Sequence, residues 1–240
     1  MTGSSWGRTP RQSIEEECAR RGRRHARPGP ARARGGLTAP SARAARRRDT
    51  GYRRPVPRFD ELVTPRLRMR RWREADREPF AAMNADPAVM LHFPAPLDRA
   101  ASDALVDRIE ERFTTQGFGL WALERRDDQA FLGFAGLNPM PDGTPGAGGM
   151  EVGWRLARAA WGHGYATEAG AEALRVAFGP VGLTTVWSIT AVGNVRSQAV
   201  MRRLGLVEHS RYQHPTLPAA HPLADHVAFW SPPGFRPPPA

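Results

Sequence analysis

The segment that most constrains the fold runs from Met150 to Ala191. It begins with an alternating strand pattern, residues 150–156, in which every second residue is apolar, and continues through a glycine-containing turn into an alanine-rich stretch with helical spacing, residues 166–178. A second strand pattern, residues 185–191, follows. A strand, a helix and a strand in this order form a right-handed crossover between two parallel strands. The segment therefore predicts an α/β domain built around one parallel strand pair.

Strand and helix patterns on both sides of this segment extend the same domain. Before it, we expect an edge strand over residues 66–72, helices over residues 76–85 and 102–115, and a hairpin with strands over residues 119–125 and 130–137. After it, we expect a helix over residues 194–204, ended by Gly205, and antiparallel strands over residues 206–212 and 225–230. The sum is one mixed α/β domain over residues 56–240, with a mostly antiparallel sheet, a central parallel pair and flanking helices.

Residues 1–55 differ from the rest of the chain in composition. They contain fifteen arginines and four acidic residues, a difference equal to the formal net charge of +11 of the whole chain. The segment is also rich in Ala, Pro and Gly and has no hydrophobic period, so we expect a disordered tail. Two interpretations stay open. In the first, the arginines bind RNA or another anionic surface. In the second, the segment has no function or is not translated: the absence of lysine indicates a G+C-rich coding region, in which translation starts later, near Val56 or elsewhere in the tail.

Composition excludes several classes of protein. The single cysteine, Cys18, lies in the tail, so we expect no disulfide, thiolate metal cluster or cysteine nucleophile in the folded part. The late histidines, among them His214 and His226, have no spacing that repeats on one face, and we expect no metal site. The chain has no run of about 18 apolar residues and no apolar signal region, so we expect a soluble, cytoplasmic protein without contact to a membrane.

The turn in the central segment, WGHGY from Trp161 to Tyr165, ends at the start of the predicted helix. Backbone N–H groups at a helix N-terminus are unpaired and lie at the positive end of the helix dipole, which favours a bound anion. On this helix Gly170 and the alanines share a face suited to close approach, whereas Glu168 and Glu172 fall on the other face. The turn lacks the Gly-Lys-Ser/Thr of a nucleotide P-loop and the glycine spacing of a dinucleotide site. A phosphate site and a purely structural turn both fit this pattern.

The succession GMEVGWRL, WGHGYATEA and ITAVGNVRSQAVMRRLGL resembles the GNAT superfamily, and specifically its RimJ/RimL-type N-acetyltransferases. The early sequence TPRLRMRRWREAD is similar to the first strand and helix of that branch, and DHVAFW is similar to its last strand. The resemblance covers residues 63–230. It implies that the turn holds the diphosphate of acetyl-CoA and that the two parallel strands separate so that the pantetheine arm lies between them.

The resemblance assigns the binding of acetyl-CoA to a set of residues on the strand, around the turn and at the start of the next helix. These are Trp154, Leu156, Trp161, Gly162, His163, Gly164, Tyr165, Ala166, Asn194 and Ser197. His163 is expected to face solvent rather than to act as a base. The family usually has Gln or Arg three residues before the first glycine, where this chain has Ala159. We expect weaker but not abolished phosphate binding, because most contacts come from backbone N–H groups.

Glu151 is the candidate general base. It shares a strand face with Gly153, whose missing side chain leaves room for a substrate, and in many relatives a glutamate before the turn takes the amine proton directly or through water. The alternative is a solvated strand carboxylate. Neutralising an α-amine at pH 7 costs only about 1 to 1.4 kcal/mol, against roughly 4.6 kcal/mol for lysine, so positioning can supply much of the catalysis.

Asn194 and Ser197 have the spacing of a helix N-cap, and an asparagine there is often only a cap. The resemblance places the matching residues beside the pantetheine and the sulfur. Many GNAT enzymes protonate the leaving thiolate with a tyrosine at the position of Met201, and methionine cannot donate a proton. Ser197 or an ordered water is left for this role.

The sequence therefore predicts an acetyl-CoA-dependent N-acetyltransferase that transfers acetyl directly to a primary amine, without a metal. The resemblance points to a protein N-terminal α-amine, while small amines and antibiotics are also acceptors in that branch. We expect the acceptor to contact residues 88–103 and the loop of residues 141–149. The missing tyrosine leaves a non-catalytic acyl-CoA sensor as a second class, and the arginine tail leaves an RNA-associated protein as a third.

Overall fold

The computed structural model describes residues 58–240, and the predicted tail, residues 1–55, lies outside the described residues. The strands are β1 (Glu61–Val63), β2 (Leu67–Arg70), β3 (Leu120–Arg125), β4 (Phe131–Pro139), β5 (Met150–Leu156), β6 (Trp187–Ala191), β7 (Val207–Gln213) and β8 (Asp225–Trp230). The α-helices are α1 (Arg77–Ala85), α2 (Arg99–Gln116), α3 (Tyr165–Phe178) and α4 (Val195–Arg203). Short 3-10 turns, Glu74–Asp76 and Arg158–Ala160, precede α1 and α3.

The strands of the described residues form one eight-stranded sheet in the order β1-β2-β3-β4-β5-β6-β8-β7. Every neighbouring pair is antiparallel except β5 and β6, which are parallel and are connected through α3. Helices α1 and α2 pack on each other, and α3 packs on β4 and β5. The predicted mixed α/β fold, with one central parallel strand pair and flanking helices, is confirmed.

The first strands depart from the prediction. β2 is not an edge strand, because the unpredicted β1 pairs with its outer side. A strand of three residues is too short to produce a readable alternation, which explains why the sequence pattern misses it. Arg70 in β2 is buried and forms ion pairs with Asp76 at 2.7 Å and Glu124 at 2.8 Å. This buried group ties β2, β3 and the start of α1 together.

Helix α2 is longer than the predicted residues 102–115, because capping residues set both of its ends. The side chain of Asp98 accepts a hydrogen bond from the N–H of Ala101 at 2.8 Å, which allows the helix to begin at Arg99. The helix ends at Gly117, whose φ of 77° is in the left-handed region. The other predicted elements are present with ends shifted by a few residues at most.

Helix α3 is buried around most of its circumference, which corrects the expectation that its glutamates lie away from the packed face. Glu168 and Glu172 are only 7% and 5% exposed. Glu168 accepts a hydrogen bond from the hydroxyl of Thr64 at 2.6 Å, and Glu172 pairs with Arg175 at 2.6 Å. The segment between β1 and β2 covers this side of the helix, and helical spacing alone does not predict such a cover.

Close packing joins α3 to α4 and α2 to the sheet. A Cβ on Gly170 would lie 2.8 Å from Cδ1 of Leu204, so any larger residue at this position would require the Leu204 side chain to move. Phe113 of α2 packs edge-on against Trp121 of β3, with ring centres 5.7 Å apart, and both are fully buried. Burying one such ring stabilises the fold by about 1.5 to 3 kcal/mol.

These contacts hold the helices that form the walls of the site. Within residues 58–240, no helix is both long enough and apolar enough to cross a lipid bilayer.

Candidate active site

A large cavity opens where β5 and β6 separate. The two strands share one ladder position, Glu151 with Trp187, and the residues that follow on both strands line the cavity. Its volume is about 1510 Å³, larger than the roughly 300 to 1,000 Å³ of an ordinary ligand pocket. The turn and α4 form one side, while α2, the α1–α2 connection and the start of β8 form the other. The cavity is large enough for two substrates.

The glycine turn presents a row of free backbone donors to this cavity. Gly162 and Gly164 have φ of 82° and 83°, a backbone conformation that other residues rarely adopt. Within the described part of the chain, the N–H groups of residues 162–166 donate no hydrogen bond. They stand at the N-terminus of α3, where the helix dipole adds positive potential. The arrangement has the features of an anion site made mainly of backbone.

Arg66 fixes the position of this turn. Its Nε donates to Oε2 of Glu168 at 2.6 Å, and its Nη1 donates to the carbonyl oxygen of His163 at 2.9 Å. Burial acts to raise the pKa of Glu168, but the hydrogen bonds from Thr64 and Arg66 outweigh it and hold that pKa below its ordinary value. The charged carboxylate of Glu168, on α3, therefore holds the side chain of Arg66, and Arg66 in turn holds the backbone of the turn.

Trp161 is held in place at the mouth of the cavity. Its indole Nε1 donates to the carbonyl oxygen of Leu156 at 2.9 Å, and the guanidinium of Arg196 lies 4.9 Å from the centre of its ring. All three residues line the cavity. The guanidinium of Arg196, at the start of α4, is thus held beside the first residue of the turn.

Glu151 lies at the end of the cavity where β5 and β6 are still paired. Its Oε1 accepts a hydrogen bond from Nδ2 of Asn138 at 3.0 Å, and Oδ1 of Asn138 accepts one from Nη1 of Arg112. Burial raises the pKa of the Glu151 carboxyl to about 7, although the hydrogen bond from Asn138 and the charge of Arg112 act in the opposite direction. A carboxyl group with this pKa can accept a proton near neutral pH.

Asn194 and Ser197 begin α4 beside the same cavity. Asn194 is the N-cap: its Oδ1 accepts from the N–H of Ser197 at 3.2 Å, and its Nδ2 donates to Oγ1 of Thr190 at 3.0 Å. The hydroxyl of Ser197 makes no hydrogen bond within residues 58–240 and lines the cavity. Met201 is 1% exposed and belongs to the core.

The structure brings almost all of the site residues expected from sequence to one cavity. Its lining includes Glu151, Trp154, Leu156, Trp161, Gly162, Gly164, Tyr165, Ala166, Asn194 and Ser197. His163 is not part of the lining; it is exposed, and its ring stacks on Tyr165 with centres 5.6 Å apart. Of the predicted acceptor regions, residues 88–94 line the cavity in part, whereas the loop of residues 141–149 does not.

Several polar residues of the cavity were not predicted. Asn138 of β4 contacts Glu151 directly, and Arg112 of α2 is connected to it through Asn138. Arg155 lies four residues after Glu151 on β5. Nη1 of Arg155 donates to Oδ1 of Asn84 at 2.7 Å, and its guanidinium is 4.0 Å from the ring centre of Phe93. Its Nε is buried and has no hydrogen-bond partner among residues 58–240. Burial lowers the pKa of Arg155 to about 10.

Two histidines also meet at the cavity. The rings of His214 and His226 are 4.7 Å apart, and Nδ1 of His226 is buried without a hydrogen-bond partner within residues 58–240. Burial lowers the pKa of both imidazoles, and the charge of His214 lowers that of His226 further. In the described residues, no group of three His, Cys, Asp or Glu side chains is arranged to hold a metal ion.

Comparison with known proteins agrees with this architecture. The family model described as "Acetyltransferase (GNAT) domain" matches residues 66–207. The uncharacterized protein YkkB of Bacillus subtilis strain 168 is 29% identical over 147 residues, which are 61% of this chain and 84% of YkkB.

Solved structures share the fold. An acetyltransferase from Agrobacterium tumefaciens has a TM-score of 0.58 at 22% identity, with 83% of this chain and 98% of the other covered. A GCN5-related N-acetyltransferase from Brucella melitensis has a TM-score of 0.59 at 15% identity, with 73% and 80% covered. Together with the family match over most of the described domain, this establishes that the chain belongs to the GNAT acetyltransferase family, whose members use acetyl-CoA as co-substrate.

Proposed function

We propose that this chain is an acetyl-CoA-dependent N-acetyltransferase that transfers acetyl directly to a primary amine. The observation that carries the proposal is the presence, in one cavity, of a row of free backbone donors at residues 162–166 and of the carboxyl group of Glu151. The donors suit a diphosphate, and the carboxyl suits a proton acceptor. The opening between β5 and β6 connects the two.

In this proposal the N–H groups around Gly162 and Gly164 bind the diphosphate of acetyl-CoA, and the α3 dipole adds about 0.3 to 1 kcal/mol. Arg158 and Arg196 supply positive charge on either side of the turn. The pantetheine arm lies along β5, where Trp154 and Leu156 line the opening. Because backbone supplies the main contacts, the Ala159 departure from the family pattern is tolerated.

The chemical step is an attack by the neutral amine nitrogen on the thioester carbonyl carbon. A nitrogen–carbon bond forms, the carbon–sulfur bond breaks, and the proton released from nitrogen passes to the carboxylate of Glu151. Asn138 holds the carboxylate in place by its hydrogen bond. The leaving thiolate takes a proton from water or from the hydroxyl of Ser197, which makes no hydrogen bond in the described part of the chain. A thiol with a pKa of about 8.5 is a good leaving group, so this last contribution is small.

We further propose a RimJ/RimL-type enzyme acting on an α-amine. The order of the three matching sequences along the chain supports this assignment, and so does the pKa of Glu151. A carboxyl with a pKa of about 7 is matched to an α-amine, whose pKa is roughly 7.7 to 8.0, far better than to a lysine near 10.4. The match favours α-amines over lysine side chains as acceptors.

The direct test is turnover. The purified chain is mixed with acetyl-CoA and a panel of α-amines, lysine side-chain amines and peptides, and release of free thiol is followed together with the mass of the product. We expect thiol release that depends on an α-amine, with a mass gain of one acetyl group on that amine. Binding of CoA without turnover on any amine would instead support the non-catalytic acyl-CoA sensor.

A further inference from the structure

The charge of the cavity is strongly one-sided. Its lining contains one carboxylate, Glu151, and six arginines, namely Arg108, Arg112, Arg155, Arg158, Arg196 and Arg203. None of the six forms an ion pair with a carboxylate of the described residues. Eleven of the other fourteen arginines in residues 58–240 do form such a pair. Among residues 58–240, arginines without a partner carboxylate are therefore concentrated at this cavity.

The six arginines fall into two groups by position. Arg158, from the 3-10 turn before α3, and Arg196 and Arg203, from α4, belong to the side of the cavity that holds the donors proposed for the phosphates of acetyl-CoA. The second group, on the side of α2 and β5, consists of Arg108, Arg112 and Arg155. The acetyl and pantetheine parts of acetyl-CoA carry no charge. The phosphates therefore provide counter-ions for the first group but not for the second.

Arg112 is the member of the second group closest to the chemistry. It is linked to Glu151 through the side-chain amide of Asn138, which receives a hydrogen bond from Arg112 and donates one to Glu151. The carboxyl of Glu151 is a poor counter-ion for Arg112, because with a pKa of about 7 it is protonated for much of the time near neutral pH. Arg108 lies one helical turn before Arg112 and also lines the cavity.

Arg155 is a further arginine that has no partner carboxylate within residues 58–240, and it lies on the same strand as Glu151. The two side chains are four residues apart on β5 and therefore point to the same face of the sheet. Arg155 is held by Asn84 of α1, and its Nε is buried with no partner in the described residues. A guanidinium in this condition is costly unless an anion occupies the cavity. The side of the cavity formed by α2 and β5 therefore favours a negatively charged group.

The spacing suits an anion that lies close to the reacting amine. In an α-amino acid the nitrogen and a carboxylate oxygen are roughly 3 Å apart. The side chain of Asn138 already joins Arg112 to Glu151 through one hydrogen bond to each, so only a short polar group separates the two. An acceptor with its nitrogen at Glu151 and a carboxylate a few atoms away can join the same two side chains from the cavity, and planar bidentate pairing of a carboxylate with a guanidinium is favourable.

We propose that the acceptor is an amine that carries a carboxylate within a few atoms of its nitrogen, and that Arg112 and Arg108 bind this carboxylate while Glu151 takes the proton. The proposal rests on the proposed N-acetyltransferase function and narrows its substrate class. The same charges disfavour polycationic acceptors such as aminoglycosides, because the single carboxylate of the cavity is needed for the proton transfer. A free amino acid and an acidic peptide N-terminus share the required chemistry.

Matched acceptor pairs test the proposal. One arm compares L-phenylalanine with L-phenylalaninamide, and a second compares the peptides Asp-Ala-Ala-amide and Asn-Ala-Ala-amide, all with saturating acetyl-CoA. We expect the carboxylate member of at least one pair to have a kcat/KM about tenfold or more above its neutral partner, and the arm that shows it identifies the source. The more basic amine of the free amino acid works against this preference, so a preference in that arm is not an effect of amine pKa.

Substitutions of Arg112 test whether this residue causes the preference for acceptors with a carboxylate. Arg112→Gln should raise the acceptor KM about tenfold and remove the preference for the carboxylate member, while the KM for acetyl-CoA stays unchanged. Arg112→Lys should recover part of the preference, because it restores the charge. Arg99→Gln serves as the matched control: it removes an arginine from the exposed start of the same helix and should alter neither KM.

The outcomes separate this proposal from the proposed function. Thiol release with equal or better use of the neutral partners in both pairs overturns the anionic acceptor but leaves an N-acetyltransferase. If CoA binds and no pair reacts, saturation-transfer NMR with N-acetyl-L-phenylalanine and its amide decides: equal binding of the two, or binding of neither, also overturns it. Failure to bind CoA overturns the proposed function itself.

Discussion

The two ends of the cavity are built differently. At the turn, N–H groups from one continuous segment, residues 162–166, have no partner within residues 58–240 and form the proposed anion site, and Arg66 supports the turn from outside. Around Glu151, the polar groups are side chains that come from separate elements, including Asn138 from β4 and Arg112 from α2. A backbone site tolerates changes of side chain, whereas an assembled side-chain site changes specificity with each substitution. Substitutions around Glu151 can therefore change which acceptor binds, while the backbone site for the co-substrate stays the same.

The comparison predicts that changes at the two ends affect different kinetic constants. The largest effect is expected for Glu151→Gln, which keeps the shape of the side chain and removes the proton acceptor. A general base contributes about 10² to 10⁴-fold, so kcat should fall at least about 100-fold. Steady-state kinetics measure the loss, and calorimetry should give an unchanged dissociation constant for CoA. Full activity of this variant would remove Glu151 from the mechanism.

The pH dependence sharpens the same prediction. Glu151 must be ionised and the amine must be neutral, so kcat/KM should rise with pH through two ionisations, the lower one at about 7. In Glu151→Gln the residual activity should follow the amine alone. Because the folded pKa of Glu151 lies above its ordinary value of 4.5, its ionisation destabilises the fold as pH rises from about 4.5 to about 7.

The stability of Glu151→Gln relative to the natural chain should therefore increase across that pH window. Denaturant unfolding at pH 5 and pH 8 measures this change, and a constant difference would show that the carboxyl is not shifted.

The next largest effect is expected at the other end, for Gly162→Ala. The new Cβ meets no protein atom within 4 Å, but φ of 82° is strained for alanine by about 1 kcal/mol, and the methyl group enters the space proposed for the diphosphate. The KM for acetyl-CoA should rise about tenfold with little change in kcat. Gly182→Ala is the matched control, since Gly182 also has free space around its Cβ, a φ of 76° and no place in the cavity lining.

A smaller effect is expected for Arg66→Ala, which removes the support of the turn without touching the cavity. Glu168 would remain buried with fewer donors, so the free energy of unfolding should fall by about 1 to 3 kcal/mol. The KM for acetyl-CoA should rise only a few-fold, because the donors of the turn remain. Thermal unfolding with and without CoA measures both. An unchanged KM together with unchanged stability would show that the turn holds its own shape.

The smallest effect is expected for Ser197→Ala. Loss of its hydroxyl should lower kcat about two- to fivefold, because a thiolate with a pKa near 8.5 leaves readily and water can supply the proton. The N-cap bond from its N–H to Asn194 remains, so stability should not change. A solvent isotope effect on kcat that is equal in the variant and the natural chain would assign the proton transfer to water.

The sequence predicts the two ends of the cavity unequally, for a physical reason. The strand, turn and helix from Met150 to Phe178 are contiguous, so local periodicity and glycine spacing predict both the elements and the anion site. Glu151 is predictable because it lies on the strand of this contiguous unit. Arg112 and Asn138 are not, because their approach to Glu151 depends on the packing of α2 and on a strand register that follows a long loop.

The burial of Glu168 is missed for a related reason. Its partners, Thr64 and Arg66, lie about 100 residues earlier in the chain, and a helical pattern records only which residues share a face, not what covers that face. The unpredicted β1 belongs to the same missing cover. Contacts between segments distant in sequence thus account for the buried glutamates of α3 and for the unpredicted partners of Glu151.

The central claim is that the free N–H groups at residues 162–166 bind the diphosphate of coenzyme A. Isothermal titration of CoA into the natural chain, into Gly162→Ala and into Gly182→Ala tests it most directly. The account predicts one CoA per chain, about tenfold weaker binding for Gly162→Ala, and unchanged binding for Gly182→Ala. No heat of binding with the natural chain at millimolar CoA, or equal affinity in all three proteins, would contradict it.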